Sequence, residues 1–389
     1  MANEVTRYIK DKVQRELWAR SAGRCQFNGC NRLLYCSPIT LEKVNISEQA
    51  HIYSFSQDGP RGWGPFITNN NDLNEIENLM LMCHDCHKTI DQDKNGERYS
   101  GEMLRAWKKQ HEERIYIVCG IANTKKTHVV FYGANISEQK SPILKHDAHE
   151  ALFPDHYPVN ENPIELSMVC SHEDKSEAFW NTEQEHLTKM FSTQIEPRII
   201  ENNPAHFSIF ALAPMPLLIK LGSLFTDKTS VDVYQPIREP KTWRWQSPPD
   251  NFHFKIIPPT SFDHPPALVI SLSAKIDHQR IRDILGDNCT IWEITVDDIY
   301  CHNDFIKSPE QLGKFRESMR KFIADIKEKH GPSELPLFPA MPVSCAVEMG
   351  RIRMPKADMP WVIYDQNNKA GKFIRAFQIG ETDGIQSKN

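Results

Sequence analysis

Two short cysteine pairs constrain this chain more than any other feature. Cys25 and Cys30 stand in CQFNGC, and Cys83 and Cys86 stand in CHDCH, about fifty residues further on. Each pair has the spacing of a knuckle that gives two thiolates to a tetrahedral zinc ion. The fold must therefore bring two distant segments to one point. His87 follows the second pair directly, and His51 lies in the stretch between the pairs.

The 389 residues are enough for two or three domains. With 40% hydrophobic and 25% charged residues, the composition is that of an ordinary globular protein. No apolar run approaches the ~20 residues of a membrane span, so no membrane partner is expected. The first residues have no apolar core or cleavage site, so no signal peptide is expected. A reducing, cytoplasmic location follows as an expectation, and clustered cysteines there are read as metal ligands. The scattered Cys36, Cys119, Cys170, Cys289, Cys301 and Cys345 are read as small core residues. A net charge of −5 excludes coating of nucleic acid by bulk charge. Binding DNA would need a local basic groove or several copies acting together.

Residues 1–120 read as one unit. An amphipathic helix carries Val5, Tyr8, Ile9, Val13, Leu17 and Trp18, and a polar loop, SQDGPRGWGPFITNNNDLNE, lies between the two knuckles. ERYSGEMLRAWKKQHEERI reads as a helix with a Ser/Gly start; its charged face serves either solvation or DNA contact. Residues 125–389 alternate β-branched runs with helical stretches, including one long helix from about Lys175 to Ile200. That alternation implies a mostly parallel sheet covered by helices. An internal echo divides this region into halves at about 125–250 and 260–389. FALAPMPLLIKLG and LFPAMPVSCAVEMG each carry a strand, a Met-Pro pair and a closing glycine, Gly222 or Gly350, and each leads to a strand with a tyrosine, Tyr234 or Tyr364. The glycines read as punctuation just past a helix end. Chance likeness of two strand–helix–strand units is the competing reading. The Pro-rich stretch from Arg238 to Ala267 reads as the connector.

Phosphodiester hydrolysis needs a base for water and a cation for the phosphate oxygens. The first unit offers both in order. His51 in EQAHIYSF is the candidate general base, and Asn78 in IENLMLMC the residue that orients it. His87 is read as opening the helix HKTID. Asp91 follows it by four residues on the same face, and the two are candidate ligands of a catalytic Mg²⁺ or Mn²⁺. Cys25, Cys30, Cys83 and Cys86 hold structural Zn²⁺ in this reading, and His84 is exposed and incidental. The bland alternative is a zinc ribbon that only docks DNA or protein.

In this order AHI, ENLMLMC and CHDCHKTID resemble the zinc-ribbon branch of the HNH endonucleases. The resemblance implies an α+β, ββα-metal domain. Many members carry an acidic ligand directly before the base histidine. This chain has Ala50 there, which leaves Asp91 or Glu48 to supply the ligand. The second region resembles the SAVED domain, an α/β fusion of two Rossmann/CARF-like halves, through LAPMPLLIKLGSLFTDKTSVDVYQPIREPKTWRWQ, ALVISLSAKI and LFPAMPVSCAVEMGRIRMPKADMPWVIYD. Together they resemble the HNH–SAVED effectors of bacterial CBASS antiphage signalling. This implies a cyclic di- or oligonucleotide activator, cleavage of double-stranded DNA with little sequence preference, and a homo-oligomer, dimer or tetramer, formed on activation.

Open α/β sheets bind ligands beyond the carboxyl ends of their strands. Tyr234 and Arg238, and Ser273 and Lys275, follow strands and are candidate ligand contacts. Trp243 and Trp245 either stack on nucleobases or pack in the core. Two rivals stay open: a non-catalytic nucleotide sensor, and a restriction-type nuclease whose second half reads DNA bases.

Overall fold

The structure, a computed structural model, describes residues 8–66, 73–134, 143–167, 176–201, 205–250, 252–367 and 370–380. Cys170 and Val5 fall outside them. The chain divides into two units, Met1–Ala122 and Asn123–Asn389. Among the described residues no helix is long and apolar enough to cross a membrane.

In the first unit α1 (Asp11–Ser21) buries Val13 and Leu17. Strands β1 (Ser47–His51) and β2 (Leu79–Cys83) pair antiparallel, with His51 opposite Leu79. All five residues of β2, LMLMC, are buried. Helix α2 (His84–Gln92) follows β2 without a break, so His87 lies one turn inside the helix and does not open it. Helix α3 (Gly101–Cys119) starts where the Ser/Gly pair places it: Met103 N donates to Ser100 Oγ at 3.2 Å. Leu17, Leu34, Ile52, Leu81, Ile90 and Leu104 form a small core. A core of this size is marginal without a staple.

The second unit holds two sheets. In the first, β3 (Lys126–Gly133), β4 (Tyr157–Pro158), β6 (His206–Leu212) and β7 (Ser230–Val233) run in the order β4-β3-β6-β7, with β5 (Ile164–Glu165) also on β3. Every pairing is parallel. Its helices are α4 (Lys145–Leu152), α5 (Glu177–Gln194), α6 (Glu196–Glu201) and α7 (Met215–Phe225). The single long helix expected here is thus two, because Pro197 has no N–H to continue the ladder.

The second sheet comprises β8 (Lys255–Ile257), β9 (Pro266–Ser271), β10 (Thr290–Thr295), β11 (Leu335–Ala340), β12 (Trp361–Asn367) and β13 (Lys372–Ile379), in the order β13-β12-β11-β9-β10-β8. Edge strands β8 and β13 are antiparallel to their neighbours and the inner pairings are parallel. Helices α8 (His278–Leu285), α9 (Pro309–His330) and α10 (Val343–Ile352) complete this half. The Pro-rich connector is therefore more than a linker, since it supplies edge strand β8. A bare three-residue strand gives too little periodicity to be read from sequence.

The internal echo extends to ring geometry. Tyr234 stacks on Phe210 at 4.5 Å and 11°, and Tyr364 stacks on Phe338 at 4.6 Å and 17°. Trp243 meets Phe210 edge-on at 5.2 Å, as Phe373 meets Phe338 at 5.2 Å. The repeated glycines correct the sequence expectation. Gly222 and Gly350 lie inside α7 and α10, not past their ends. A Cβ on Gly222 would sit 1.9 Å from Val347 O, and one on Gly350 1.9 Å from Ile219 O. Each glycine lets the other half's helix backbone approach. Gln235 adds a polar tie between the halves, its Oε1 accepting from Ser344 N at 3.1 Å and Ser344 Oγ at 2.6 Å.

Candidate functional site

The four knuckle cysteines converge. The sulfurs of Cys25, Cys30, Cys83 and Cys86 all lie within 4.8 Å of one another, with Cys30 and Cys83 at 4.0 Å. Tetrahedral zinc with Zn–S bonds of ~2.3 Å places its sulfurs ~3.8 Å apart, so the donor set fits such an ion. Burial pushes the Cys25 thiol up to about 12 and raises Cys86 as well. A bound cation is what would keep such thiols ionised. The remaining described cysteines do not all match a core role: Cys345 is buried, Cys36, Cys289 and Cys301 are half-buried, and Cys119 is exposed.

Around β1 and α2 the polar groups gather. His87 Nε2 is 3.2 Å from Asp91 Oδ2, one helical turn on, and His87 Nδ1 is 3.8 Å from Glu48 Oε2. His84 is exposed, but it pairs with Glu48 at 3.2 Å and so is not isolated. Glu48 stands three residues before His51 on the same strand. His51 ends β1, and its Nε2 donates to Asn74 Oδ1 at 2.9 Å, which leaves Nδ1 as the ring's free lone pair. Burial holds the His51 imidazole below its ordinary pKa, with the Asn74 bond opposing. Burial also works against ionisation of Asp91, but His87 and Arg61 outweigh it and hold its carboxyl below the usual range.

Asn78 does not touch the His51 ring. It is fully buried, accepts from Tyr53 N at 2.9 Å, and donates to Tyr53 O and Leu73 O, each at 2.9 Å. Its own carbonyl accepts from Ile52 N at 2.8 Å. The expected orienting role thus becomes a clamp on the backbone after His51, and the ring's direct partner is Asn74.

Sequence reasoning also missed Arg61. Its guanidinium, with a side chain only 3% exposed, donates to Ile52 O at 2.5 Å, Ile90 O at 2.8 Å and His51 O at 3.3 Å, and reaches Asp91 Oδ1 at 3.4 Å. One side chain therefore ties the end of β1 to the end of α2. No local signal marks it in a polar loop without periodicity. On α3, Arg105 lies over the Tyr53 ring at 4.9 Å, whereas Lys108 is buried against Glu112 and is not offered to solvent.

In the second unit, connections leave β9 and β11 in opposite directions, toward β10 and β12. The reversal in strand order therefore falls between Ser271 and Ala340. Ser273 lies there, its N donating to Ala340 O at 2.8 Å. Lys275 is exposed and pairs with Asp298 at 2.8 Å beside a cleft of about 750 Å³ that Lys255, Glu293 and Asp297 also line. Arg238 has an exposed side chain. Tyr234 and Trp243 are buried, with Tyr234 packed between Phe210 and Trp245. Tyr234 has no face left for a base, which corrects the expectation for it, and Trp243 takes the core-packing alternative. Trp245 is half-buried, stacked on Tyr234 at 5.8 Å.

One unit is a ββα unit in which four cysteine sulfurs converge, and the other is a duplicated α/β unit. Two family descriptions match the chain: HNH endonuclease over residues 25–94, and SMODS-associated and fused to various effectors sensor domain (SAVED) over residues 187–379. The chain thus combines an HNH endonuclease domain with a SAVED domain. Among solved structures, the Acinetobacter baumannii Cap4 SAVED/CARF-domain containing receptor with the cyclic trinucleotide 2'3'3'-cAAA aligns over 80% of this chain and 67% of its own, at 11% identity and TM-score 0.42. The Moraxella osloensis Cap4 receptor aligns over 80% and 69%, at 11% identity and TM-score 0.38. No curated protein matches the chain significantly.

Proposed function

We propose that this chain is a cyclic-oligonucleotide-activated, metal-dependent endonuclease that cuts double-stranded DNA with little sequence preference, as an effector of CBASS-type antiphage signalling. The observation that carries the reading is the meeting of His51, His87 and Asp91 around one ββα unit, on the same chain as a SAVED domain.

In this account His51 takes the proton of the attacking water on Nδ1, while Asn74 holds Nε2 and so fixes tautomer and ring direction. The lowered basicity of His51 keeps it neutral, as a base must be. His87 and Asp91, with Glu48 beside them in place of an acid at Ala50, would hold Mg²⁺ or Mn²⁺, which supplies Lewis-acid charge for the phosphate oxygens. Asn78 and Arg61 keep the base strand and the ligand helix in register. Cys25, Cys30, Cys83 and Cys86 would hold Zn²⁺, which would staple the domain. The activator binds beyond the strand ends near Ser273, Lys275 and Arg238, where cations meet phosphates. An activator that prefers the assembled form draws protomers together by that preference, and several nuclease units acting at once offset the weak DNA affinity of an acidic protomer.

Plasmid incubated with Mg²⁺ and a panel of cyclic di- and trinucleotides tests this. Cutting with one activator and none without it is the expected result. Binding of an activator with no cutting would favour the non-catalytic sensor.

A further inference from the structure

In the second unit three side chains from separate segments meet at the amino ends of the first sheet. His156 directly precedes β4, His206 opens β6, and Asp232 lies in β7. One ligand atom from each falls within 4.8 Å of the other two. His206 Nε2 is 3.4 Å and His156 Nδ1 is 3.6 Å from the same oxygen, Asp232 Oδ2. These separations exceed the 2.7–3.2 Å of a good hydrogen bond. They match the ~3.4 Å between two ligand atoms that share a tetrahedral ion at ~2.0–2.2 Å.

We propose that His156, His206 and Asp232 form a second metal site, for a late first-row divalent ion of the Zn²⁺ class, separate from the four-cysteine site. Two imidazoles and one carboxylate are the donor set such ions take. The supporting contacts agree. His206 Nδ1 is hydrogen-bonded to Thr127 Oγ1 at 2.8 Å, and Thr127, fully buried, bonds Ser208 Oγ at 2.9 Å. In the tautomer with its proton on Nδ1, that bond orients the ring and frees Nε2 to ligate an ion beside Asp232, as partners of ligand histidines commonly do. His156 Nδ1 is buried and has no hydrogen-bond partner. A buried nitrogen without a partner is costly, and an ion satisfies it. Burial works against ionisation of Asp232, but His206, His156 and Arg351 keep it charged.

Two features set the site's character. The imidazole rings are stacked, with centroids 4.2 Å apart and planes 11° from parallel, so a shared ion must tilt them open. His156 can tilt without breaking a bond at Nδ1. Lys125 and Arg351 lie near enough to act on His156 and Asp232 and weaken affinity, while Asp155 offsets part of this. The ion clips the segment before β4 to β6 and β7, at the opposite end of the sheet from the carboxyl-end crevice.

Full-length protein dialysed to equilibrium against Zn²⁺ and assayed for metal content per chain tests the proposal. Wild type is expected to hold one equivalent more than His156→Gln and than His206→Gln, whatever the four cysteines and the His87–Asp91 pair take up, because those groups are the same in all three proteins. Co²⁺ loading supplies an independent readout: the difference spectrum between wild type and His156→Gln should show weak d–d bands without thiolate charge transfer. Equal metal content in wild type and both variants, or a difference spectrum of thiolate character, would overturn it.

Discussion

His51 and Asn78 separate chemistry from architecture within one site. Replacing His51 with Ala removes the proposed base and should lower cutting by about 10²–10⁴-fold while leaving activator binding measured by calorimetry unchanged. Loss of both would make His51 structural. The free-enzyme rate should also fall on acidification, because the protonated ring cannot accept. Burial lowers this pKa, so the midpoint of kcat/KM against pH should lie below the ~6.5 of an ordinary imidazole. A midpoint above that value would exclude His51 as the base. Asn78→Ala acts differently, since it leaves Tyr53 N, Tyr53 O and Leu73 O without their buried partner. At about 1–3 kcal/mol for each stranded group that finds no water, chemical denaturation should show a clear loss of stability. The residues at this scale that were legible in sequence are those whose type and spacing are rare together: the cysteines, His51, His87 and Asp91. Asn74 and Arg61 were not, because their roles depend on how a polar loop folds back. Neither were the buried states of Tyr234 and Trp243, since an aromatic in a Pro-rich stretch reads the same inside or outside.

At the scale of elements, the α7–α10 crossing holds the two sensor halves together through two glycines. In an isolated helix Gly→Ala would stabilise by about 1 kcal/mol. Here the new methyl of Gly222→Ala or Gly350→Ala would meet a carbonyl oxygen at 1.9 Å, so the helices must separate. The net effect should be a destabilisation of at least about 1–3 kcal/mol, read as a lowered denaturation midpoint of the second unit. A neutral or stabilising outcome would show that the crossing is not tight. The motif recurrence was visible in sequence because strand, Met-Pro and glycine repeat in order. Its meaning was not, since a helix-ending glycine and a helix-packing glycine look alike in one dimension. The same limit hid β8, and the break between α5 and α6 rested on one proline inside a helical pattern.

At the scale of the molecule, the two units should lose structure independently. Removing zinc with a strong chelator should unfold the thiol-stapled unit, whose core is small. The sheets of the second unit have their own extensive core and should survive. Calorimetry should then show one transition lost and one retained, whereas a single cooperative loss of both would contradict the division. The two-unit organisation was legible because cysteine spacing and strand–helix alternation are both one-dimensional signals. Strand order within the sheets was not, because it depends on which edges the chain returns to. The most direct measurement is plasmid cleavage by wild type and His51→Ala in Mg²⁺, with and without a cyclic oligonucleotide shown by calorimetry to bind both. The account predicts cutting only by wild type and only with the activator. Cutting by His51→Ala at the wild-type rate, or an intact plasmid with activator-saturated wild type, would contradict it.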